Sequence, residues 1–217
     1  MKNLLEKTPR RTLNPLVKSK TFFPVLAIAT LVAACVPSVN PFYTDKDVVT
    51  DPRLPGVWQA VGNNDKPEIW EFENRATNAY HLFVTDDKGK TGAFSAHLFK
   101  LGAEYFLDLT PDKCGFATNQ IDLIAIAMIP GHLLVRVSLA QTNLQLALCN
   151  GDWLKKYLEK NPKAIAHRDD GDGITLTAET RDLQKFMLKH LGKDELFGDN
   201  GEFVRQTNAV PAVAPSK

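Results

Sequence analysis

The sequence predicts a mainly β domain with some helix (α+β): an antiparallel meander that closes partly into a barrel, with two amphipathic helices in its C-terminal half. Three observations lead to this expectation. Short apolar runs separated by turn residues follow one another from Gly56 to Leu148. Residues 70–73 alternate between aromatic and acidic side chains, as in a half-buried strand. After Asn150 the apolar period becomes helical. We expect a single β-rich domain with two helices over residues 56–206.

The first part of this domain is predicted to consist of short strands. Turn sequences such as Gly62-Asn63-Asn64-Asp65 and Pro130-Gly131 separate them. The predicted strands are Gly56–Ala60, Glu68–Asn74, Ala79–Thr85, Thr91–Lys100, Glu104–Thr110, Leu123–Ile129, His132–Leu139 and Leu144–Leu148.

The C-terminal part is predicted to alternate helices with strands. The first helix carries Trp153, Leu154, Tyr157 and Leu158, with Asn150 or Asp152 as its N-cap and Asn161-Pro162 as its end. The second helix carries Leu183, Phe186, Met187, Leu188 and Leu191 and is closed by Gly192. Ile174–Thr177 and Glu202–Gln206 are the predicted strands, and residues 207–217 are predicted to be a disordered tail.

The N-terminal residues have the order of an export signal. Residues 1–20 hold six basic side chains and one acidic side chain, and an apolar run over 21–34 follows them. That run is shorter than the roughly 20 apolar residues that span a bilayer as a helix. We expect residues 1–34 to be a cleaved signal peptide. An uncleaved signal anchor and a twin-arginine signal at Arg10-Arg11 stay open as alternatives.

The segment Leu31-Val32-Ala33-Ala34-Cys35 resembles the lipobox of bacterial type II signal peptides. The resemblance implies cleavage before Cys35 and lipidation of its thiol and amino group, and two or more acyl chains hold a protein durably on a membrane. It therefore implies a membrane partner through a lipid anchor in the bacterial cell envelope. Val36 at the next position, rather than Asp, resembles lipoproteins of the outer membrane that face the periplasm.

Residues 35–55 are predicted to be a lipidated Cys followed by a proline-rich tether. Prolines at 37, 41, 52 and 55 disfavour a helix. Such a chain could reach up to about 70 Å when fully extended. Phe42, Tyr43, Val48 and Val49 indicate that part of it packs onto the domain.

Charge argues against nucleic-acid binding. Residues 1–34 hold six of the 26 basic and one of the 25 acidic residues, so residues 35–217 carry a net charge of about −4. Binding to phosphates requires concentrated Lys and Arg, and the sequence has no such cluster beyond the leader. We expect no nucleic-acid partner.

Two resemblances extend into the domain. Pro41-Phe42-Tyr43-Thr44-Asp45-Lys46-Asp47, Gly56-Val57-Trp58 and Leu144-Gln145-Leu146-Ala147-Leu148 are similar to segments of a group of uncharacterised bacterial lipoproteins, which implies an address and a fold but no chemistry. Gly-x-Trp at the start of a meander also resembles the lipocalins, in which the Trp plugs one end of the barrel beneath an Arg from a late strand. That resemblance implies that Trp58 and Arg205 form a structural barrel-end pair, within a lipocalin-like architecture.

Two cysteines remain after Cys35, and two interpretations of them stay open. Cys114 and Cys149 could form a disulfide in an oxidising compartment, which would stabilise the fold by roughly 3–4 kcal/mol in the chain-entropy model. Alternatively, both are thiols, with Cys149 packed at a strand end and Cys114 in a loop.

No catalytic, metal-binding or cofactor-binding group is predicted. The five histidines lack the close spacing of zinc ligands, the acidic run 169–173 does not match an EF-hand, and no serine lies in a nucleophile elbow. The sequence therefore favours a non-catalytic envelope lipoprotein that binds a small or lipophilic ligand, for which we expect a deep apolar cavity of roughly 300 Å³ or more. The alternatives are a structural or protein-interaction component of the envelope, with a filled interior, and a hydrolase of envelope material.

Overall fold

The computed structural model describes residues 36–62, 66–75, 78–112, 131–171 and 173–207, and of Asp194 only the backbone. Its strands are β1 (Pro37–Ser38), β2 (Gly56–Ala60), β3 (Ile69–Asn74), β4 (Tyr80–Thr85), β5 (Thr91–Leu101), β6 (Glu104–Pro111), β7 (His132–Leu139), β8 (Asn143–Leu148), β9 (His167–Asp169), β10 (Ile174–Leu176) and β11 (Gly201–Arg205). The helices are α1 (Gly151–Lys160), α2 (Thr180–His190) and a short 3-10 helix at Asp194–Leu196.

Eight of these strands form a closed antiparallel barrel. Strands β2 to β6 pair in sequence order, β11 lies between β2 and β8, and β7 pairs with both β8 and β6, which closes the ring. The predicted α+β class with a lipocalin-like barrel and two helices is confirmed, and the barrel is closed all the way round. Closure removes the exposed strand edges that an open meander would leave.

Three short strands extend the sheet on one side of the barrel. Strand β1 pairs with the first two residues of β7, which do not pair with β8. On its other side β1 pairs in parallel with β10, and β10 pairs with β9. The sequence did not predict β1 or β9, because runs of two or three residues are too short to show a strand period.

The helices begin and end close to the predicted residues. Asn150 caps α1, and its Oδ1 accepts a hydrogen bond from the Trp153 amide at 3.0 Å. Helix α2 buries Leu183, Phe186, Met187 and His190, a spacing of three, four and seven residues along one face. Leu188, which the sequence analysis lists with these apolar residues, does not belong to the buried face and is 48% exposed.

Apolar side chains form two layers, one inside the barrel and one on its outer wall. The interior contains Leu54, Trp58, Trp70, Phe72, Tyr80, Leu82, Ala96, Leu98, Leu107, Leu109, Val135, Val137, Leu144, Leu146 and Phe203. In the outer layer, Leu154, Leu158, Leu183, Phe186 and Met187 from the helices belong to one cluster with Phe99, Phe106, Leu134 and Ala147 from β5 to β8. These four barrel strands are therefore buried on both faces.

The proline-rich segment is part of the fold. Val36, Phe42 and Leu54 are each no more than 4% exposed. The amide of Val49 donates to the Leu98 carbonyl at 2.9 Å, and the amide of Lys100 donates to the Asp47 carbonyl at 3.0 Å. The expected packing of Phe42, Tyr43 and Val49 onto the domain is found. The interpretation of residues 36–55 as a tether must be corrected, because these contacts hold the segment against the barrel wall along most of its length.

Several expectations concern residues outside the described part of the chain. They are the signal peptide 1–34, the lipidated Cys35, the strand Leu123–Ile129, and the tail from residue 208 onward. Within the described ranges, no helix has the length and apolar character needed to cross a membrane.

Candidate functional site

One end of the barrel is plugged by Trp58, and Arg205 lies over that plug. The Trp58 side chain is fully buried, and its Nε1 donates to the Leu54 carbonyl at 2.8 Å. The Arg205 guanidinium lies 4.2 Å from the centre of the Trp58 ring and donates to the carbonyls of Pro55, at 2.7 Å, and Arg53. The structure thus brings the two residues of the expected barrel-end pair together.

Gly56 makes this arrangement possible. Its φ of +128° is strained for any residue with a side chain, and a Cβ there would collide with the Arg205 guanidinium. The positive φ therefore favours glycine at the first position of the Gly-x-Trp sequence, and the missing Cβ leaves room for the Arg205 guanidinium.

The interior next to this plug is filled. Phe72, Leu82, Leu98, Leu107 and Val135 are each at most 2% exposed. Values this low mean that little free space adjoins these side chains inside the barrel. Beside the plug, Leu98 also lines a surface pocket of about 270 Å³ together with Asp51, Arg53, Tyr105, Val137 and Leu139. The expected deep cavity is absent from this half of the barrel. Aromatic and leucine side chains of the interior occupy the space that a ligand would need.

At the opposite end the inward side chains are partly exposed. Ala60, Val84, Phe94 and Leu133 pack against the interior cluster, yet each retains accessible surface. They come from β2, β4, β5 and β7, close to the strand ends farthest from Arg205. Among the described residues they form an apolar rim, which we call the open end of the barrel; residues 113–130, which join β6 to β7 at this end, are outside the described ranges.

Glu68 is an acidic group at this open end. It directly precedes β3, and its Oε1 accepts a hydrogen bond from the indole Nε1 of Trp70 at 2.5 Å. Burial raises the pKa of the Glu68 carboxyl, and the nearby Asp87 and Asp86 carboxylates raise it further, against the effect of the Trp70 bond. A carboxyl beside an apolar rim and other acids is suited to receiving a cationic or hydrogen-bond-donating group.

A second group of polar side chains lies on the outer wall of the barrel, centred on Asp108. This carboxylate is fully buried. Its Oδ1 lies 2.6 Å from His132 Nδ1, and its Oδ2 accepts a hydrogen bond from the Phe42 amide at 2.8 Å. Asp108 therefore joins β6, β7 and the segment that precedes β2, with a donor for each oxygen.

His97 and Tyr43 flank Asp108. His97 is the cross-strand partner of Asp108, and the Tyr43 ring stacks on His97 with the two ring centres 4.6 Å apart. Burial lowers the pKa of His97. Burial also raises the pKa of Tyr43 to about 12, and the Asp108 carboxylate adds to that increase. Both side chains are therefore neutral near pH 7.

The outer-wall group has some features of a nucleophilic site but lacks access. A buried carboxylate that orients a histidine is the arrangement used to activate serine. Ser38 is the cross-strand partner of His132, and its buried Oγ makes no hydrogen bond within the described residues. However, Ser38 and Asp108 are both 0% exposed. A substrate could not reach the hydroxyl, so the contacts account for attachment of the N-terminal segment rather than for catalysis.

His190 occupies an aromatic enclosure between the two helices. It is 1% exposed, and the rings of Trp153, Tyr157 and Phe186 lie 4.6–5.5 Å from its centre. Neither ring nitrogen has a hydrogen-bond partner in the described part of the chain. Burial lowers the pKa of His190, as do the charges of Lys193 and Lys189.

The remaining expected site residues are placed only in part. Cys35 and Cys114 lie outside the described residues, so lipidation and the disulfide stay predictions. Cys149 is buried at the end of β8, where its backbone pairs with Phe197. No cluster of three or more metal-binding side chains occurs in the described ranges.

The chain was compared with protein-family models, curated proteins and solved structures, and none of them matches.

Proposed function

We propose that this chain is a lipid-anchored protein of the bacterial cell envelope, on the outer membrane and facing the periplasm, that binds the apolar part of a small amphiphile without catalysis. The observation that supports ligand binding is the difference between the two barrel ends. The Trp58 end is plugged and packed, whereas the open end exposes inward apolar side chains beside a carboxyl group. Apolar sites with a few polar groups are typical of small-molecule binding.

The charge of the open end selects among amphiphiles. Burial raises the pKa of the Glu68 carboxyl, and the negative charges of Asp87 and Asp86 raise it further. A ligand with a cationic or hydrogen-bond-donating head would compensate this negative potential, and an anionic head would be repelled. The proposed ligand therefore has an apolar tail and an amine-like head.

The ligand proposal is tested with two simple amphiphiles of equal chain length. Dodecylamine and lauric acid, below their aggregation concentrations, are titrated into the lipid-free domain with Trp70 fluorescence as readout, in a background of Trp58→Phe and Trp153→Phe. We expect dodecylamine to bind about tenfold more tightly at pH 7, which corresponds to about 1.4 kcal/mol, and Glu68→Gln to remove the preference.

Two matched arginine variants locate the site. Val84→Arg places a charge in the apolar rim and should abolish binding of both amphiphiles. Val204→Arg places the same charge on the exposed outer face of β11, where Val204 is 39% exposed, and should leave binding unchanged. Equal binding by both variants would place the ligand elsewhere.

The packed interior specifically favours a second candidate, a structural or interaction component of the envelope. If neither amphiphile binds and no lipid co-purifies in native mass spectrometry, this second function replaces the first. The anchor is tested separately: labelled palmitate should enter the full-length protein but not its Cys35→Ala form.

A further inference from the structure

The residues directly after the proposed lipidation site are packed into the domain. Val36 is 4% exposed and belongs to the apolar layer on the outer wall of the barrel. Pro37 and Ser38 then pair with β7 on one side, and Ser38 pairs with β10 on the other. The first described residues are therefore held by both packing and backbone hydrogen bonds.

The next four residues are also held in place by hydrogen bonds. The amide of Val39 donates to the Leu176 carbonyl at 2.9 Å, and Asn40 Nδ2 donates to the Ala178 carbonyl at 3.0 Å. Thr180 Oγ1 donates to the Pro41 carbonyl at 2.7 Å, and the Phe42 amide donates to Asp108 at 2.8 Å. These contacts join the segment to α2, β10 and the barrel wall, with at least one hydrogen bond at each residue from 39 to 42.

Covalent geometry then limits how far the domain can stand from its lipid. Consecutive Cα atoms are about 3.8 Å apart, so a lipid on Cys35 is attached one residue away from a buried side chain. A flexible spacer of 20 residues would instead allow up to about 70 Å. We propose that the protein lies directly on the phospholipid headgroups, with the wall that carries β1, β9 and β10 facing the bilayer. This inference rests on the proposed lipidation of Cys35.

Strand directions identify the face. Strands β1 and β10 are parallel, so both begin at the same edge of the sheet, and the turn that joins β9 to β10 lies at that edge. Strand β3 is four strands from β7 in either direction around the ring, so it lies across the barrel from β1. We expect the turn after β9 to be near the membrane and the exposed end of β3 to be far from it.

Charge on this face indicates what kind of contact to expect. Arg168 and Asp170 are both exposed and form an ion pair with Nε and Oδ1 2.5 Å apart, and Asp169 is also exposed. These residues do not form the basic cluster that binds anionic lipids. The contact should therefore depend on the anchor and not on the anionic lipid content of the membrane.

Fluorescence quenching on vesicles tests the orientation. The full-length lipidated protein is reconstituted into phosphatidylethanolamine vesicles that contain a headgroup-labelled nitroxide lipid. An environment-sensitive fluorophore is incorporated as an unnatural amino acid at Arg168, or at Glu73 on β3 as the matched control. Both positions are exposed. We expect loss of fluorescence at position 168 and none at position 73.

A spacer variant supplies the second arm. A flexible spacer of 20 residues, alternately Gly and Ser, is inserted between Cys35 and Val36. It should reduce quenching at position 168 to the level at position 73, and the urea midpoint of the domain should stay unchanged. Equal quenching at the two positions in the original protein would overturn the inference while leaving the anchor intact. Mass spectrometry of the N-terminal peptide distinguishes that result from an unmodified Cys35, which would overturn both the anchor and the inference.

Discussion

Replacing Asp108 with Asn should loosen the attachment of the N-terminal segment to the barrel. The carboxylate accepts from two donors, His132 Nδ1 and the Phe42 amide, and water does not reach it. An amide has only one acceptor oxygen, and its NH₂ group would face one of these donors. The variant therefore keeps the volume of the side chain and loses one of the two acceptors.

The expected cost follows from these contacts. A hydrogen bond to a charged group contributes about 1.5–3 kcal/mol, and a buried donor left without a partner costs about 1–3 kcal/mol. Only one of the two acceptors is lost, so the cost should stay near the middle of these ranges. We expect Asp108→Asn to lower the free energy of unfolding by about 2–3 kcal/mol, or the melting temperature by roughly 5–10 °C for a domain of this size.

Urea unfolding measures the total effect, and hydrogen exchange shows where it acts. We expect faster exchange at the Phe42 amide and its neighbours in the first strand, before global unfolding. Asp170→Asn is the control, because Asp170 is exposed and its ion pair with Arg168 should contribute no more than about 1 kcal/mol. If Asp108→Asn unfolds within about 0.5 kcal/mol of the parent, the argument that Asp108 holds the segment is refuted.

Three further variants test other parts of the fold. His190→Phe should make the stability of the fold less sensitive to acid. Burial lowers the pKa of His190, so its contribution to the free energy of unfolding is complete above the unfolded-state pKa of about 6.5 and is lost as the pH falls below it. Urea midpoints that change in parallel for the two proteins from pH 7 to pH 5 would contradict this. Glu68→Gln should stabilise the fold at pH 7 and not at pH 4. The pKa of Glu68 is raised, so the stability that its protonated form provides is lost as the pH rises through that pKa. The same gain in stability at both pH values would rule out titration of Glu68 as the cause. Arg205→Met should lower the free energy of unfolding by about 2 kcal/mol in a thermal melt, because it removes two hydrogen bonds to carbonyls and the contact with Trp58. Arg136→Met is the control: it loses a ring contact at 4.8 Å and one hydrogen bond of 3.4 Å and should cost about half as much. Equal costs would argue against a special role of Arg205.

The barrel strands could be predicted because each contains its own period. Most of the described barrel strands match the expected ranges within a residue or two, since alternation and turn residues are local signals. Strand β1 was missed because two residues carry no period, and its partners lie about 95 and 138 positions away. The tether interpretation failed for the same reason: prolines exclude a helix, but they do not show whether an extended chain is packed or free.

One contact of the outer-wall group could also have been predicted from the sequence. The short turn at Gly102-Ala103 joins β5 to β6 and fixes their register, so it places His97 opposite Asp108. The contacts of Asp108 with His132 and with the Phe42 amide, 24 and 66 positions away, required the folded arrangement.

The sequence by itself determined the strand and helix pattern and the Gly-x-Trp opening, because each depends on neighbouring residues. Only the tertiary structure decided that the barrel is filled beside Trp58 and apolar at the other end, and that the chain is packed from Val36 onward. Side-chain packing and long-range pairing depend on which surfaces meet when the sheet closes, and no local pattern records that.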